Sequence, residues 1–156
     1  MDEFMELYSQ VYKDLYKIAY YYMGNREEAE DAVSEAVLRA YENFHSLRKK
    51  ESFRKWAIQI LVNCCKGQQK KQSIQQKISM KKAEEEKLWI EPDYITALAV
   101  HEAMEILTEE ERLIVVLHIV GGYKGKEISE ILQKNHNTIR SKYKRALEKL
   151  KLQLEM

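Results

Sequence analysis

The sequence predicts an all-α protein: two small helical domains joined by a basic linker, the C-terminal one a helix-turn-helix. Three observations predict it. One proline and five glycines in 156 residues, amid plentiful Lys, Glu, Leu, Ile and Ala, leave little to interrupt helices. Apolar residues recur at helical spacing in two blocks, separated by a Gln-, Lys- and Ser-rich stretch. In the last quarter, two short amphipathic patterns flank a tight turn.

The elements follow in chain order. The first helix runs from about Phe4 to Met23 and stops at Gly24, suited to a left-handed cap. Asn25 starts the second, with Glu28 completing a capping-box pattern. Its core stripe is Ala29, Ala32, Val33, Ala36, Val37, Ala40, Tyr41 and Phe44. The polar HSLRKKES run breaks the pattern, and Ser52 caps a third helix with Phe53, Trp56, Ala57, Ile60, Leu61 and Cys64 inward. The first domain is expected to span residues 1–65.

Residues 66–93 form the linker, closed by the one proline, Pro92. As a flexible coil of about 25 residues it would span roughly 25–30 Å. Its lysines (Lys66, Lys70, Lys71, Lys77, Lys81, Lys82) admit two readings, solubility or attraction to nucleic acid. Residues 94–156 form the second domain, resuming with Ile95, Leu98, Ala99, Ala103, Ile106 and Leu107 as an inward stripe. Thr108 and Glu111 make a second capping box, and the following helix ends at Gly121-Gly122.

Two stripes then define the helix-turn-helix: Ile128, Ile131 and Leu132, followed by Ile139, Tyr143, Ala146, Leu147 and Leu150. Between the latter project Arg140, Lys142, Lys144, Arg145, Lys149 and Lys151, opposed only by Glu148. Such a helix suits a DNA major groove, where phosphate neutralisation supplies most of the affinity. The net charge of +1 conceals the asymmetry: residues 2–42 carry ten acidic side chains against four basic ones. Nucleic acid is therefore expected to meet particular faces.

Several classes are excluded. The longest apolar run, LIVVLHIV, is broken by His118 and falls short of the roughly 18 residues of a membrane span. Asp2, Glu3 and Glu6 stand where a signal peptide would be basic. Cys64 and Cys65 are adjacent and cannot bridge without strain, which fits a reducing cytoplasm. His45, His101, His118 and His136 are scattered, without the paired spacing that a metal needs. His118 is read as a satisfied, partly buried histidine. No phosphate loop or nucleophile elbow is present, so neither metal, cofactor nor catalysis is expected.

Three stretches, AEDAVSEAVLRAYENF, ESFRKWAIQILVN and EISEILQKNHNTIRSKYKRA, in this order and separation, resemble bacterial RNA polymerase sigma factors of the extracytoplasmic-function group. The resemblance covers nearly the whole chain. It implies a factor that binds core polymerase and directs promoter-specific initiation in the cytoplasm, in the setting of a stress response. It assigns Asp31, Ser34, Glu35 and Leu38 to the coiled coil of the polymerase's largest subunit; the alternative reading is a solvated acidic face with one tolerated leucine. Ser34 replaces the family's usual glutamine.

The resemblance places Arg48, Lys49, Lys50, Arg54, Lys55 and Asn63 at the melted minus-ten strand, with Gln59 where an arginine is frequent. Phe53 and Trp56 are read as core first. With Asn135 as cap, Asn137, Thr138, Arg140, Ser141, Lys144 and Arg145 take the positions directed at the minus-thirty-five major groove, while Lys142, Lys149 and Lys151 neutralise phosphates. Gln133 and Lys134 replace the turn's usual glycine and apolar residue, and Lys124-Gly125 its usual hydroxyl cap and aromatic. The family further implies an anti-sigma partner, often membrane-anchored, and a chain that is itself monomeric when free and not inserted in a membrane. Two rivals stay open: a stand-alone helix-turn-helix regulator, and a degenerate sigma-like module that binds polymerase or an inhibitor without reading a promoter.

Overall fold

The computed structural model describes residues 2–67 and 92–155, and among these it contains helices and no strand. The expected linker lysines from Lys70 to Lys82 lie outside the described residues. The helices are α1 (Asp2–Met23), α2 (Arg26–Glu42), α3 (residues 53–67), α4 (Pro92–Ala103), α5 (Glu109–Val115), α6 (Gly125–Leu132) and α7 (His136–Glu155). Short 3-10 turns at Phe44–Ser46 and Lys50–Ser52 carry the chain from α2 to α3.

The punctuation follows local chemistry. Gly24 adopts φ +66°, ending α1 in the left-handed region where a Cβ is costly. Asn25 Oδ1 then accepts from the Glu28 N–H at 2.9 Å, satisfying one orphan donor of α2. At α5 both bonds of the capping box form: Glu111 N–H to Thr108 Oγ1 at 3.1 Å and Thr108 N–H to Glu111 Oε1 at 2.9 Å. Val116–Val120 continue α5 as a π-helical turn before Gly121.

The first core is tight: Phe4, Leu15, Ile18 and Tyr22 of α1 meet Ala29, Ala32, Val33 and Ala36 of α2, all nearly inaccessible to solvent. The alanine stripe lets α2 lie close on α1. Phe4 meets Phe44 and Phe53 edge-on at 5.4 and 5.7 Å, fixing the α2–α3 corner. The expected stripe of α2 loses its end, since Tyr41 is 45 % exposed and Phe44 belongs to the following turn.

Two helices present different faces from those the periodicity predicts. On α3, Ile58, Val62 and Cys65 are buried beside Phe53, Ala57, Leu61 and Cys64, while Trp56 and Ile60 are only partly covered. Arg54 and Lys55 share the arc of Ile58 and Val62, and both reach the second domain, so that domain covers the rotated face. On α4 and the turn that follows it, Ile95, Ala99, Ala103 and Ile106 are exposed, whereas Ala97, Met104 and Leu107 are buried. The cause is that α4 packs on α1 rather than on its own domain. There His101 Nδ1 lies 3.1 Å from the Tyr21 carbonyl, so Nδ1 carries the proton and caps the end of α1 from another element. Burial holds the pKa of His101 below its ordinary value, opposed by this carbonyl bond.

In the second domain α5, α6 and α7 share a core of Leu113, Ile114, Leu117, Ile128, Ile131, Ile139 and Ala146. Leu147, expected inside, is 42 % exposed, while Ala146 before it is buried and Leu150 after it packs against the core. Gln133 ends α6 at φ 55°, ψ 46°, supplying without glycine the left-handed turn the motif requires. Gln133→Gly is expected to stabilise the chain by roughly 0.5–1 kcal/mol, since a Cβ in this region costs about 1–2 and glycine's extra unfolded freedom returns part of it. Thermal melts should then shift upward by a few degrees.

Glu111 is 4 % exposed and also accepts from Lys149 Nζ at 2.7 Å. Burial pushes its carboxyl pKa up, but Lys149 and the Thr108 bonds more than reverse this and leave it below the usual value. Glu111→Ala loses the side-chain half of the α5 capping box, the bond from the Thr108 N–H, and leaves Lys149 unpaired, so about 1–3 kcal/mol of stability should disappear in chemical denaturation.

Candidate nucleic-acid interface

The turn at Gln133 and the cap at Asn135 set the direction of α7. Asn135 Oδ1 accepts from the Asn137 N–H at 2.8 Å, so the first turn of α7 projects outward from the helix-turn-helix. Asn137, Arg140, Ser141, Lys144 and Arg145 are all exposed and Thr138 is half-buried. Asn137, Arg140, Ser141 and Lys144 line one shallow surface depression together with Tyr143. Arg, Lys and Asn in such a row can pair bidentately with base edges in a major groove. Burial of Ile139 and Ala146 on the opposite side locks the helix against its domain while this row stays free.

Two of the lysines assigned to phosphates are instead drawn inward. Lys142 Nζ donates to Glu110 at 2.6 Å and Lys149 Nζ to Glu111 at 2.7 Å, tying α7 to α5. The hydrogen bond from Lys142 holds the Glu110 pKa below its usual value. Lys151 remains exposed. His118, on the same side, places Nδ1 2.7 Å from the Tyr123 carbonyl and stacks edge-on with Tyr143 at 4.9 Å. It is satisfied as expected, though more exposed than its apolar neighbours suggest.

At the other end of the molecule, Asn63 shares an open cavity of about 260 Å³ with Arg39, Asn43, Ser46, Trp56 and Ile60. Rotation of α3 is what turns Trp56 and Ile60 toward this cavity, giving it an apolar wall beside amide and hydroxyl groups. Arg39, Asn43 and Ser46 were not legible as site residues, because they sit at the end of α2 and join Asn63 only through the tertiary fold. Arg48 and Lys49 are exposed, and Lys50 pairs with Glu3 at 2.5 Å. Arg54 and Lys55 lie away from the cavity, in contact with the second domain: Arg54 Nη2 donates to the Gly121 carbonyl at 2.9 Å and Lys55 pairs with Glu130.

The α2 stripe lies on the face opposite its alanine core. Asp31 and Ser34 are exposed, Leu38 is 59 % exposed, and Glu35 is half-buried with Oε1 2.7 Å from Arg39 Nη2. Among the described residues, no group of His, Cys, Asp and Glu is arranged to hold a metal ion. No helix among them is long and apolar enough to cross a membrane.

Two helical domains, an exposed basic recognition helix and a polar-aromatic cavity define a two-headed nucleic-acid-binding protein. Residues 7–73 match the family described as Sigma-70 region 2, and residues 97–150 match Sigma-70, region 4. The chain belongs to the sigma-70 family of RNA polymerase sigma factors, in its extracytoplasmic-function group. In Bacillus subtilis (strain 168), RNA polymerase sigma factor SigV is 28 % identical over 145 residues, covering 91 % of this chain and 85 % of SigV. ECF RNA polymerase sigma factor SigW from the same organism is 27 % identical over 159 residues, covering 92 % and 85 %. Among solved structures, the sigma factor RpoE in complex with the anti-sigma factor NepR from Bartonella quintana superposes with TM-score 0.77 at 20 % identity, covering 100 % of this chain and 99 % of that one. CnrH in complex with the cytosolic domain of CnrY gives TM-score 0.74 at 18 % identity over 97 % and 87 %. These two likenesses concern the fold.

Proposed function

We propose that this chain docks on core RNA polymerase through Asp31, Ser34, Glu35 and Leu38, captures the melted minus-ten strand with its first domain, and reads the minus-thirty-five duplex with α7. The observation that carries this is the order of the two sigma regions combined with the unobstructed row Asn137 to Arg145. Melting costs a few kcal/mol of unstacking, offset when a flipped base finds a pocket. The cavity beside Asn63, with Trp56 for stacking and Asn43 and Ser46 for base edges, has the chemistry of such a pocket. Arg48 and Lys49, exposed beside it, hold the strand's phosphates.

In this reading residues 1–65 and 94–156 act as two heads, and the intervening residues 66–93 set their spacing. The chain works in the cytoplasm, catalyses nothing by itself, and is controlled by an anti-sigma factor. Support for the last comes from the fold shared with RpoE and CnrH, whose structures include NepR and CnrY respectively. Run-off transcription with purified core polymerase on a genomic promoter library tests the reading. Specific initiation that depends on the added chain supports it. Polymerase binding without initiation would leave a degenerate interaction module, and duplex binding without polymerase binding a plain regulator.

A further inference from the structure

Tyr143 belongs by spacing to the inward stripe of α7, and its ring does pack against the core. It is nevertheless only half-buried, and it lines the same surface depression as Asn137, Arg140, Ser141 and Lys144, a hollow of about 520 Å³. The ring is held from outside its own helix: the His118 imidazole meets it edge-on, with centroids 4.9 Å apart and planes at 70°. His118 is fixed in turn by the 2.7 Å bond between Nδ1 and the Tyr123 carbonyl. A carbonyl can only accept, so Nδ1 carries the proton. The π-helical turn Val116–Val120 makes this bond possible. Its wider backbone bonds, from the Gly121 N–H to the Val116 carbonyl at 3.0 Å and from the Tyr123 N–H to the Leu117 carbonyl at 3.1 Å, bring Tyr123 within reach of His118.

One group is left over. Among the described residues, the Tyr143 hydroxyl has no hydrogen-bond partner in the chain. At about 100° per residue, Tyr143 stands about 60° around α7 from Arg140. That puts it between the reading row and the buried Ile139. In a major groove about 12 Å wide, a side chain at the centre of such a row faces base edges, and one at its flank faces the sugar-phosphate wall. Tyrosine is among the side chains that donate to phosphate oxygens there. Lys142 and Lys149, expected at phosphates, are drawn instead to Glu110 and Glu111. A neutral donor on a packed ring differs from a lysine in two ways. It releases no counterion, and it gives up less rotamer freedom on binding.

We propose that the Tyr143 hydroxyl donates to a backbone phosphate at the edge of the minus-thirty-five element, and that His118 is the positioning residue that holds its ring at the groove wall. This rests on the reading of α7 as the promoter-recognition helix. The contact carries no sequence information itself. It sets how deep and at what register α7 lies, so that Arg140, Ser141 and Lys144 meet the base edges.

The test uses the full chain assembled with core polymerase, and a duplex carrying the minus-thirty-five element mapped by run-off transcription but no minus-ten element. Fluorescence anisotropy reads the affinity of wild type, Tyr143→Phe, His118→Ala, His118→Phe, and the double variant His118→Ala with Tyr143→Phe. Tyr143→Phe removes the hydroxyl alone and is expected to weaken binding roughly tenfold, as for a hydrogen bond to a charged group. The loss should be equal on duplexes altered in the minus-thirty-five bases, with the slope of log K against log salt unchanged. Duplexes with one phosphate at a time replaced by a neutral methylphosphonate locate the contact. At one position the replacement should cost the wild type several-fold and Tyr143→Phe nothing. His118→Ala should weaken binding several-fold by itself and add nothing in the Tyr143→Phe background. His118→Phe, which keeps a ring edge against Tyr143, should restore most of the affinity. Unchanged affinity in Tyr143→Phe, or a methylphosphonate profile identical to that of the wild type, overturns the phosphate contact. A His118→Ala loss that adds in full to that of Tyr143→Phe overturns the positioning role. Should His118→Ala fail to fold by circular dichroism, His118→Asn takes its place, keeping a donor for the Tyr123 carbonyl but no ring. Failure of the sigma reading appears separately, as a wild type that initiates nowhere, whereas failure of this contact leaves wild-type initiation intact.

Discussion

Arg140→Ala combined with Arg145→Ala abolishes promoter-specific transcripts while leaving affinity for core polymerase within twofold of wild type. Both guanidinium groups are exposed on α7, and among the described residues neither is held in an ion pair. Their removal therefore costs little folding stability. If each pairs bidentately with a guanine, about 1–3 kcal/mol of discrimination is lost per residue. Together that is roughly 2–6 kcal/mol, or about thirtyfold to more than a thousandfold in occupancy of the minus-thirty-five element. The measurement is run-off transcription beside a polymerase-binding titration. A companion salt series separates the two ways an arginine can act. Loss of phosphate contacts flattens log K against log salt by about 0.9 per contact and weakens all sequences alike, whereas loss of base contacts leaves the slope and relaxes the preference. Lys142→Ala is the control from the same helix: its partner is Glu110, so stability rather than promoter choice should suffer. A double arginine variant that still initiates normally would remove α7 from promoter reading.

Local signals were legible wherever a residue type answers to a single backbone need. Gly24, Asn25, Thr108 with Glu111, and Asn135 each do what their chemistry predicts. The alanine stripe of α2 was equally plain, because its other faces are charged and only one can be buried. What sequence could not supply was the choice of neighbour. Residues 95–107 carry apolar side chains on most faces, so periodicity selects no docking side; contact with α1 made it the side of Ala97, His101 and Met104. The rotation of α3 has the same origin, since Arg54 and Lys55, on the arc of the buried Ile58 and Val62, reach the second domain while Trp56 and Ile60 line the cavity. Charge was misread for a related reason. Basic residues on α7 look alike in sequence, but the acidic first turn of α5 claims Lys142 and Lys149 and leaves Arg140, Lys144 and Arg145 outward. Gln133 is the reverse case, a position where the usual glycine is absent and the fold imposes the left-handed turn regardless.

Leu38→Asp produces the opposite phenotype to the arginine pair: polymerase affinity falls while duplex binding by α7 survives. A single exposed leucine is ordinary on a protein surface, so exposure alone carries no argument. Here the 59 % exposed side chain stands on the face of α2 away from the alanine core, in line with Asp31, Ser34 and Glu35. The Glu35–Arg39 pair at 2.7 Å beside it fixes a polar edge around an apolar centre, the arrangement in which interface hot spots are found. Burying an aspartate in that contact both removes the apolar anchor and strands a charge, a loss of about 2–4 kcal/mol, or roughly thirtyfold to eight-hundredfold in affinity. Folding should be nearly indifferent, because the substitution meets solvent in the free chain and helix propensity differs by at most about 0.7 kcal/mol. Fluorescence anisotropy with labelled chain and core polymerase measures the first effect, and a thermal melt checks the second. Unchanged polymerase affinity would return the stripe to a solvated acidic face. The expected pair of results instead assigns docking to the first domain and duplex reading to the second. That separation of labour is what two heads on one chain require, since neither surface can substitute for the other.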